Sequence, residues 1–220
     1  MKLVPAKTPG FVKSLFPEFV WNIDTEKQEL FLTFDDGPTP EITPWVLDLL
    51  KQYNAKATFF CIGANIEKHP KIFKRIITEG HSVGNHTQNH FKGWECNTQN
   101  YIENVLKCEE FLSKLNTSTA LSVTKSSYSK LFRPPYGKLK NKQAKKLQEL
   151  GYKIVMWDVL SFDWDNSVSE EKCLQNVLKF TKNGSIIVFH DSVKASRNLK
   201  AVLPKVLKNY VGKGFGFESL

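Results

Sequence analysis

The stretch LFLTFDDGP, residues 30–38, joins an apolar run to two adjacent carboxylates. Residues 30–34 read as a buried strand, because the run is short and apolar and a turn sequence follows it. Asp35 and Asp36 come directly after this strand, and α/β folds build their active sites at the carboxyl ends of strands. Asp-Asp-Gly-Pro is also ordinary turn sequence, so the pair needs partners elsewhere in the chain to indicate catalysis.

A second polar segment, HTQNH at residues 86–90, supplies such partners. Two imidazoles four residues apart can bind one ion from a single helical face or from a tight loop, and a carboxylate adds a third ligand. Side chains of consecutive residues point in different directions, so one of Asp35 and Asp36 is left free as a general base. This set predicts a divalent metal site suited to zinc, cobalt or nickel, with a position open for water.

The remaining chain alternates short apolar strands with amphipathic helices, which predicts an α/β protein with a largely parallel sheet. The predicted strands are 30–35, 57–62, 131–132, 153–159 and 185–190. The predicted helices are 39–50, 70–80, 98–115, 138–150, 169–182 and 198–211, and a polar loop is predicted from the end of the third helix through residue 129. Leu106 is placed on the inner face of that helix, and Gly80 and Gly151 are read as helix ends.

Polar side chains lie at or just beyond the ends of several predicted strands, and we expect them to gather at one mouth of a barrel. They are Asp35, Asp36, His86, His90, Arg133, Asp158 and His190. His190 ends a fully apolar run and precedes Asp191. A partly buried histidine changes protonation with small changes of environment, which suits a general acid.

Composition indicates one globular domain, since the chain has 220 residues of which 41% are hydrophobic and 24% charged. The formal charge of +9 is compatible with an anionic partner such as nucleic acid or an anionic glycan. No nucleic-acid-binding motif is recognisable, so no nucleic acid is expected as a partner. Lysine clusters at 138–153 and 194–213 are interpreted as solvated outer faces of helices.

Cysteine spacing and the N-terminal sequence bear on the compartment. The four cysteines form no Cys-x-x-Cys pair and are expected to be core or free thiols. No signal-peptide apolar core and no membrane-spanning run is visible, so no membrane insertion is predicted. The default location is cytoplasmic, with the cell envelope as the alternative, and the sequence leaves the oligomeric state open.

Five motifs in order carry a resemblance to a known family. They are TFDDGP (33–38), HTQNH (86–90), RPPYG (133–137), the Asp163-Trp164 pair and VFHD (188–191). Together, over about residues 28–192, they resemble the polysaccharide deacetylases of carbohydrate esterase family 4. The resemblance implies a distorted, irregular (β/α) barrel. It also implies removal of N-acetyl groups from glycans such as chitin oligomers or peptidoglycan, or of O-acetyl groups from xylan. It also implies a catalytic domain at 28–220 with an N-terminal extension, 1–27, packed on it.

The same resemblance implies roles for individual residues. The first of these roles is to hold a metal ion. Asp36, His86 and His90 would be the ligands of one divalent ion, most often zinc in that family. His81 is left outside this set. An N-acetylated glycan is the implied partner.

The catalytic roles implied by the resemblance fall on four further residues. Asp35 would be the base, and Arg133 would orient it and keep it ionised. The backbone N–H of Tyr136 would help to bind the oxyanion. His190 would protonate the leaving amine. Trp164 and Asp163 are assigned to substrate binding.

One position departs from the family pattern. Leu160 stands where these proteins usually have an aspartate that tunes the acid histidine, and Asp158 or Asp163 could take its place. Trp164, Trp94 and Phe91 are candidate platforms for a sugar ring, or else core residues.

Two other functions stay open at this point. A barrel of this kind could hydrolyse another non-peptide C–N bond, in a cyclic imide or ureide. It could instead be a catalytically silent carbohydrate-binding protein, although the complete set of acidic and histidine side chains argues against this.

Overall fold

The strand predicted at 30–35 is an interior strand of a parallel sheet in the computed structural model, which describes residues 5–117 and 130–220. Its strands are β1 (Glu29–Asp35), β2 (Ala57–Cys61), β3 (Ser82–Asn85), β4 (Leu131–Phe132), β5 (Lys153–Ile154), β6 (Val159–Leu160), β7 (Ile186–His190) and β8 (Gly216–Phe217). They are ordered β5-β4-β3-β2-β1-β7-β6, and β8 pairs separately with β1. The predicted α/β fold with an irregular (β/α) barrel is confirmed.

Helices cover the outside of the curled sheet. They are α1 (Gly10–Leu15), α2 (Ile42–Gln52), α3 (Gly63–Lys68), α4 (Pro70–Thr78), α5 (Thr98–Thr117), α6 (Asn141–Glu149), α7 (Glu170–Phe180) and α8 (Ser196–Val211). The largest buried cluster joins the central strands to α2 and α8 through residues such as Phe34, Phe59, Leu50 and Leu203. Because β1 is buried on both faces, its sequence is a continuous apolar run and not an alternating one. Among the helices that the structure describes, none is long and apolar enough to cross a bilayer.

Residues 6–22 close the gap between the two ends of the sheet. On one side Val20 N–H donates to Ile154 O at 2.9 Å, and Met156 N–H donates to Val20 O at 2.7 Å. On the other side Leu160 N–H donates to Ala6 O at 2.8 Å. The segment therefore bonds to both β5 and β6, which have no direct ladder between them in the described part of the chain. A division at residue 27 into an extension and a catalytic domain stays a prediction.

The observed elements differ from the predicted ones in a few places. A strand that was not predicted, β3, leads into the histidine segment, which follows it as a loop. The run predicted as one strand at 153–159 is two short strands, because the chain turns between Ile154 and Val159. Leu106 is 38% exposed and does not belong to the inner face of α5.

Other expectations agree with the structure. Gly80 and Gly151 follow the ends of α4 and α6 with φ of 78° and 84°, the left-handed conformation that glycine adopts most easily. All four cysteines are unpaired, and three of them are buried. Of the polar loop predicted through residue 129, positions 118–129 lie outside the described residues.

Candidate active site

Asp36, His86 and His90 form a compact cluster at the carboxyl ends of β1 and β3. Their ligand atoms all lie within 4.8 Å of one another. Asp36 Oδ1 is 3.4 Å from His90 Nε2 and 3.8 Å from His86 Nε2. One carboxylate and two imidazole nitrogens at this spacing fit one divalent ion, with coordination positions left for water or substrate.

The orientation of His86 is fixed by a hydrogen bond on its other ring nitrogen. His86 Nδ1 lies 2.7 Å from the carbonyl oxygen of Arg133, which makes Nδ1 the hydrogen-bond donor. The other ring nitrogen, Nε2, then keeps a free electron pair that can bind a metal ion. Burial lowers the pKa of His86 and lowers that of His90 to about 4. Both imidazoles are therefore neutral near pH 7, which is the form that binds a metal.

Three residues in the loops that carry this cluster have left-handed backbone conformations. Asp36, Thr87 and His90 have φ of 83°, 67° and 56°. Such conformations cost free energy for residues other than glycine, and they persist where the surrounding structure holds them. Here Asn85 helps to hold the turn, because its Oδ1 accepts a hydrogen bond from Thr87 N–H at 2.9 Å.

Asp35 is not a member of this cluster and forms a buried ion pair with Arg133. Arg133 Nη1 lies 2.7 Å from Asp35 Oδ1, and both side chains are almost completely buried. Burial alone would raise the pKa of Asp35, but Arg133, with smaller effects of His86 and His190, lowers it. Asp35 is thus an ionised carboxylate beside the three candidate ligands.

The guanidinium of Arg133 is held on all sides by groups of the barrel interior. Its Nε donates to Val155 O at 3.2 Å, and Nη2 donates to Met156 O at 2.8 Å. Nη1 also donates to Thr33 Oγ1 at 2.7 Å, and the guanidinium carbon lies 4.1 Å from the Phe60 ring centre. With four of its five N–H donors bonded, Arg133 is a positive charge held in place, which a buried ion pair requires.

His190, at the end of β7, is bonded to Asp163. Asp163 Oδ2 accepts the backbone N–H of His190 at 2.7 Å, and Oδ1 lies 2.9 Å from ring Nδ1. Burial alone would lower the pKa of His190, but Asp163, with smaller effects of Asp36 and Asp35, raises it to about 9. The ring carries a proton at neutral pH, as a general acid must.

The carboxylate beside His190 comes from Asp163, and Leu160 is a buried apolar residue of β6. Asp163 is fully buried and also accepts a hydrogen bond from Ser161 Oγ at 2.9 Å. Its carboxylate bonds to Ser161 and to His190, so its geometry favours positioning of His190 over contact with substrate.

The structure places Asp158 at the opposite, amino end of β6, outside the cluster of site residues. Its backbone N–H donates to Ile186 O at the start of β7, and its carboxylate pairs with Lys7 and Lys13. The expected gathering of all seven strand-end residues at one mouth was wrong for this one. A single strand predicted across 153–159 would place Asp158 near its carboxyl end. In the structure Asp158 directly precedes β6, so its side chain lies at the amino end of a strand.

Aromatic side chains stand on both sides of the site. On the metal side, the Tyr136 ring lies 4.7 Å from His90 and 5.4 Å from Trp94. Tyr136 is 53% exposed, with φ of 60°. On the other side Trp164 lies 4.7 Å from His190. Trp94 is 36% exposed, so a sugar ring can reach the aromatic side chains on the metal side of the site.

Asp191 is a buried residue near the site to which no role was assigned from the sequence. Its Oδ1 accepts Gly37 N–H at 3.0 Å, and Oδ2 accepts the Thr43 hydroxyl. Burial raises its pKa to about 7. Asp191 ties the turn after Asp36 to β7, and its position directly after His190 was the only sequence signal for such a contact.

His81 lies outside this group, as expected. Its Nδ1 accepts Ala57 N–H at 3.2 Å, at the amino end of β2, and burial lowers its pKa to about 4.

The site as a whole combines three ligand-type side chains, an ionised carboxylate and a protonated histidine. Such a combination is suited to hydrolysis of a carbonyl compound with an ion as Lewis acid.

Comparison with known proteins identifies similar chains. The family model described as polysaccharide deacetylase matches residues 22–155. A peptidoglycan-N-acetylglucosamine deacetylase of Bacillus cereus is 40% identical over 196 residues, which are 88% of this chain and 67% of that protein. Chitin deacetylase 2 of Saccharomyces cerevisiae is 35% identical, over 81% of this chain and 55% of its own length.

A solved structure shows the same similarity in three dimensions. The crystal structure of the Bc1960 peptidoglycan N-acetylglucosamine deacetylase, bound to 4-naphthalen-1-yl-N-oxidanyl-benzamide, superimposes with a TM-score of 0.84 at 37% sequence identity. The match covers 97% of this chain and 95% of that one, so it includes both the barrel and residues 6–22 that close it.

Proposed function

The chain belongs to the polysaccharide deacetylase family, and we propose from this premise that it removes N-acetyl groups from a glycan by metal-dependent hydrolysis. The observation that carries the proposal is the division of labour between neighbouring residues. Asp36 faces His86 and His90, whereas Asp35 is turned to Arg133. A metal-dependent hydrolase of this kind needs one carboxylate that holds the ion and another that takes a proton from water.

The residues that would hold the ion are Asp36, His86 and His90. Zinc fits this nitrogen and oxygen set, and cobalt or nickel are alternatives. When bound, a divalent ion polarises the acetyl carbonyl and lowers the pKa of water.

The protein groups then perform the proton transfers. Asp35, ionised beside Arg133, takes the proton of the attacking water. As the carbonyl carbon becomes tetrahedral, the backbone N–H of Tyr136 donates to its oxygen, and one such donor is worth about 100-fold or more in rate. Protonated His190 gives its proton to the departing nitrogen, so the sugar leaves as a free amine.

We propose an N-acetylated glycan as the substrate, because the relatives are named for peptidoglycan N-acetylglucosamine and for chitin. Trp164 would contact the sugar from the His190 side and Tyr136 from the metal side. Asp163, although assigned to substrate binding from the sequence, would act through His190. The place of action that fits these polymers is the cell envelope, and fractionation of cells with an antibody to the chain tests this.

Acetate release tests the proposed function. The metal-free and the zinc-loaded protein are each offered N-acetylglucosamine oligomers, peptidoglycan and acetylated xylan, with a cyclic imide as the comparison substrate. We expect zinc-dependent release from at least one glycan and none from the folded variant Asp36→Ala. Turnover of the imide alone would support the other C–N hydrolase. Bound glycan without acetate release would support the silent binder.

A further inference from the structure

A row of lysines starts at the rim of the site and continues along a groove between two helices. Lys138 Nζ lies 4.8 Å from the centre of the Trp94 ring, which is in edge contact with Tyr136. Lys140 Nζ donates to Cys96 O at 2.6 Å. Lys142 and Lys145 then line a groove between α5 and α6. We call Lys138, Lys140, Lys142 and Lys145 the lysine surface.

The groove itself has the form of a binding surface. Its volume is about 410 Å³, and its lining combines Thr98, Gln99 and Ile102 of α5 with Lys142, Lys145, Lys146 and Glu149 of α6. Polar and apolar atoms thus line the α5 wall, whereas the α6 wall carries three amines and the Glu149 carboxylate, which pairs with Lys146. Such a surface can accept a sugar chain that carries negative charge.

The positive charge of this surface is not neutralised by the protein. The two acidic side chains of this region, Glu95 and Glu149, pair with Lys92 and Lys146 instead. Within residues 5–117 and 130–220, no carboxylate oxygen lies within 4 Å of an amine of the lysine surface. Four uncompensated amines therefore attract an anion, with a strength that falls as salt is added.

The rim segment that carries Trp94 is built into the fold. Buried Gln143 of α6 donates through Nε2 to Gly93 O at 2.8 Å, and its Oε1 accepts Lys140 N–H at 2.9 Å. A single side chain thus fixes the rim of the site and the start of α6 together. The rim segment that carries Trp94 is thereby linked to the helix that carries Lys142 and Lys145.

We propose that the lysine surface binds the carboxylate groups of the glycan strand whose acetyl group lies in the active site. This inference rests on the proposed function and narrows its substrate to an anionic, N-acetylated polymer. A strand that crosses the Tyr136–Trp94 rim continues onto the groove, where its carboxylates meet the amines. Neutral oligomers gain nothing from this surface.

Three substrates and two charge-reversal variants test the proposal. The substrates are peptide-free peptidoglycan strands with free lactyl carboxylates, the same strands with those carboxylates converted to methylamides, and N-acetylchitopentaose. The variants are K142E/K145E and, as a matched control, K71E/K74E on exposed positions of α4. Both variants change the net charge by the same amount, and neither alters a residue of the catalytic machinery.

For the zinc-loaded wild type we expect a KM about tenfold lower for the carboxylate strands than for the amidated ones at about 25 mM salt. The difference should shrink at about 300 mM salt, where screening is stronger. In K142E/K145E the difference disappears, while kcat and the activity on N-acetylchitopentaose are unchanged. K71E/K74E should match the wild type.

Three results would overturn the proposal. The wild type could show no preference for the carboxylate strands, or K71E/K74E could lose the preference equally, which would make net charge the only cause. Duplex DNA could bind more tightly than the strands and lose its binding in K142E/K145E, which would assign the surface to nucleic acid. Absence of acetate release from all three substrates would instead refute the proposed function, and co-sedimentation with the carboxylate strands would then still measure binding.

Discussion

Asp163 bonds to His190 twice, through the backbone N–H at 2.7 Å and through ring Nδ1 at 2.9 Å. One buried carboxylate thus fixes both the orientation of the imidazole and its charge. Leu160, in β6, provides no such bond, and the carboxylate beside His190 belongs to Asp163, three residues later in the loop that follows β6. The protonation of His190 depends on this single partner more than on Asp36 or Asp35.

The substitution Asp163→Asn should shift the alkaline limb of the pH–rate profile to lower pH. His190 acts as an acid only while protonated, and Asp163 raises its pKa to about 9. Without that negative charge the pKa falls, so activity is lost at a pH lower by about 1 to 2 units. A bound cation also lowers this pKa, and the comparison is therefore made between two metal-loaded proteins. The measurement is kcat/KM against pH.

The control for this experiment is Asp165→Asn, two residues along the chain. Asp165 accepts hydrogen bonds from Ser167 and does not contact His190. Its profile should follow the wild type. An unshifted alkaline limb in Asp163→Asn would show that another group sets that limb.

The substitution Arg133→Met should destabilise the fold and raise the pKa of Asp35. Removal of the cation leaves a buried carboxylate without its partner, which typically costs about 3 to 5 kcal/mol. Asp35 then protonates at higher pH, so the acidic limb of the profile moves upward. Urea unfolding near pH 7 measures the free energy of unfolding. The control is Lys153→Met, which removes an exposed cation. A loss as small as that of the control would contradict the ion-pair assignment.

The substitution Gly37→Ala should disturb the metal site through Asp191. An added Cβ at Gly37 would lie 2.0 Å from Asp191 Oδ2, so the turn after Asp36 has to move. A displaced ligand typically weakens metal binding or activity by about tenfold or more. Gly10→Ala is the matched change, because nothing lies within 4 Å of its new methyl group. Zinc titration of both proteins reports the affinities, and equal values would refute the coupling.

The double substitution Lys7→Met and Lys13→Met should lower stability near neutral pH. Burial alone would raise the pKa of Asp158, but its bonds to Lys13, Lys7 and Ser185 lower it. This stabilisation is present above the unfolded pKa of about 3.9 and is lost as pH falls through the lower folded value. We expect a loss of about 2 kcal/mol at pH 7 by urea unfolding. A difference that is constant down to acid pH would exclude Asp158 as its source.

The sequence predicted the elements with strong local signals. β1 and β7 are apolar runs that end in Asp35 and His190, and glycines with left-handed φ follow the ends of α4 and α6, so local chemistry was sufficient for these elements. Asp35 and Asp36 were identified because two carboxylates follow an apolar strand, and His86 and His90 because imidazoles four residues apart can bind one ion. Their proximity in space is consistent with that prediction, and their catalytic roles stay proposals.

The contacts that were missed join residues far apart in the chain. β3 is four residues long and contains Gly84, so it lacks a strong strand pattern. The sequence left open whether Asp158 or Asp163 lies beside His190, because that choice depends on where a loop turns, which no periodicity records. Closure by residues 6–22 depends on the two ends of the sheet lying apart, a property of the assembled barrel.

Closure of the sheet by residues 6–22 also bears on the order of folding. Lys7 and Asp158 form an ion pair although they are 151 positions apart in the chain. Lys7 therefore leaves the ribosome long before Asp158 is synthesised. Long-range pairings of this kind form late and slowly. Val20 bonds to Met156, whose carbonyl holds Arg133. Asp35, which pairs with Arg133, would therefore receive its final orientation only after translation has passed residue 156.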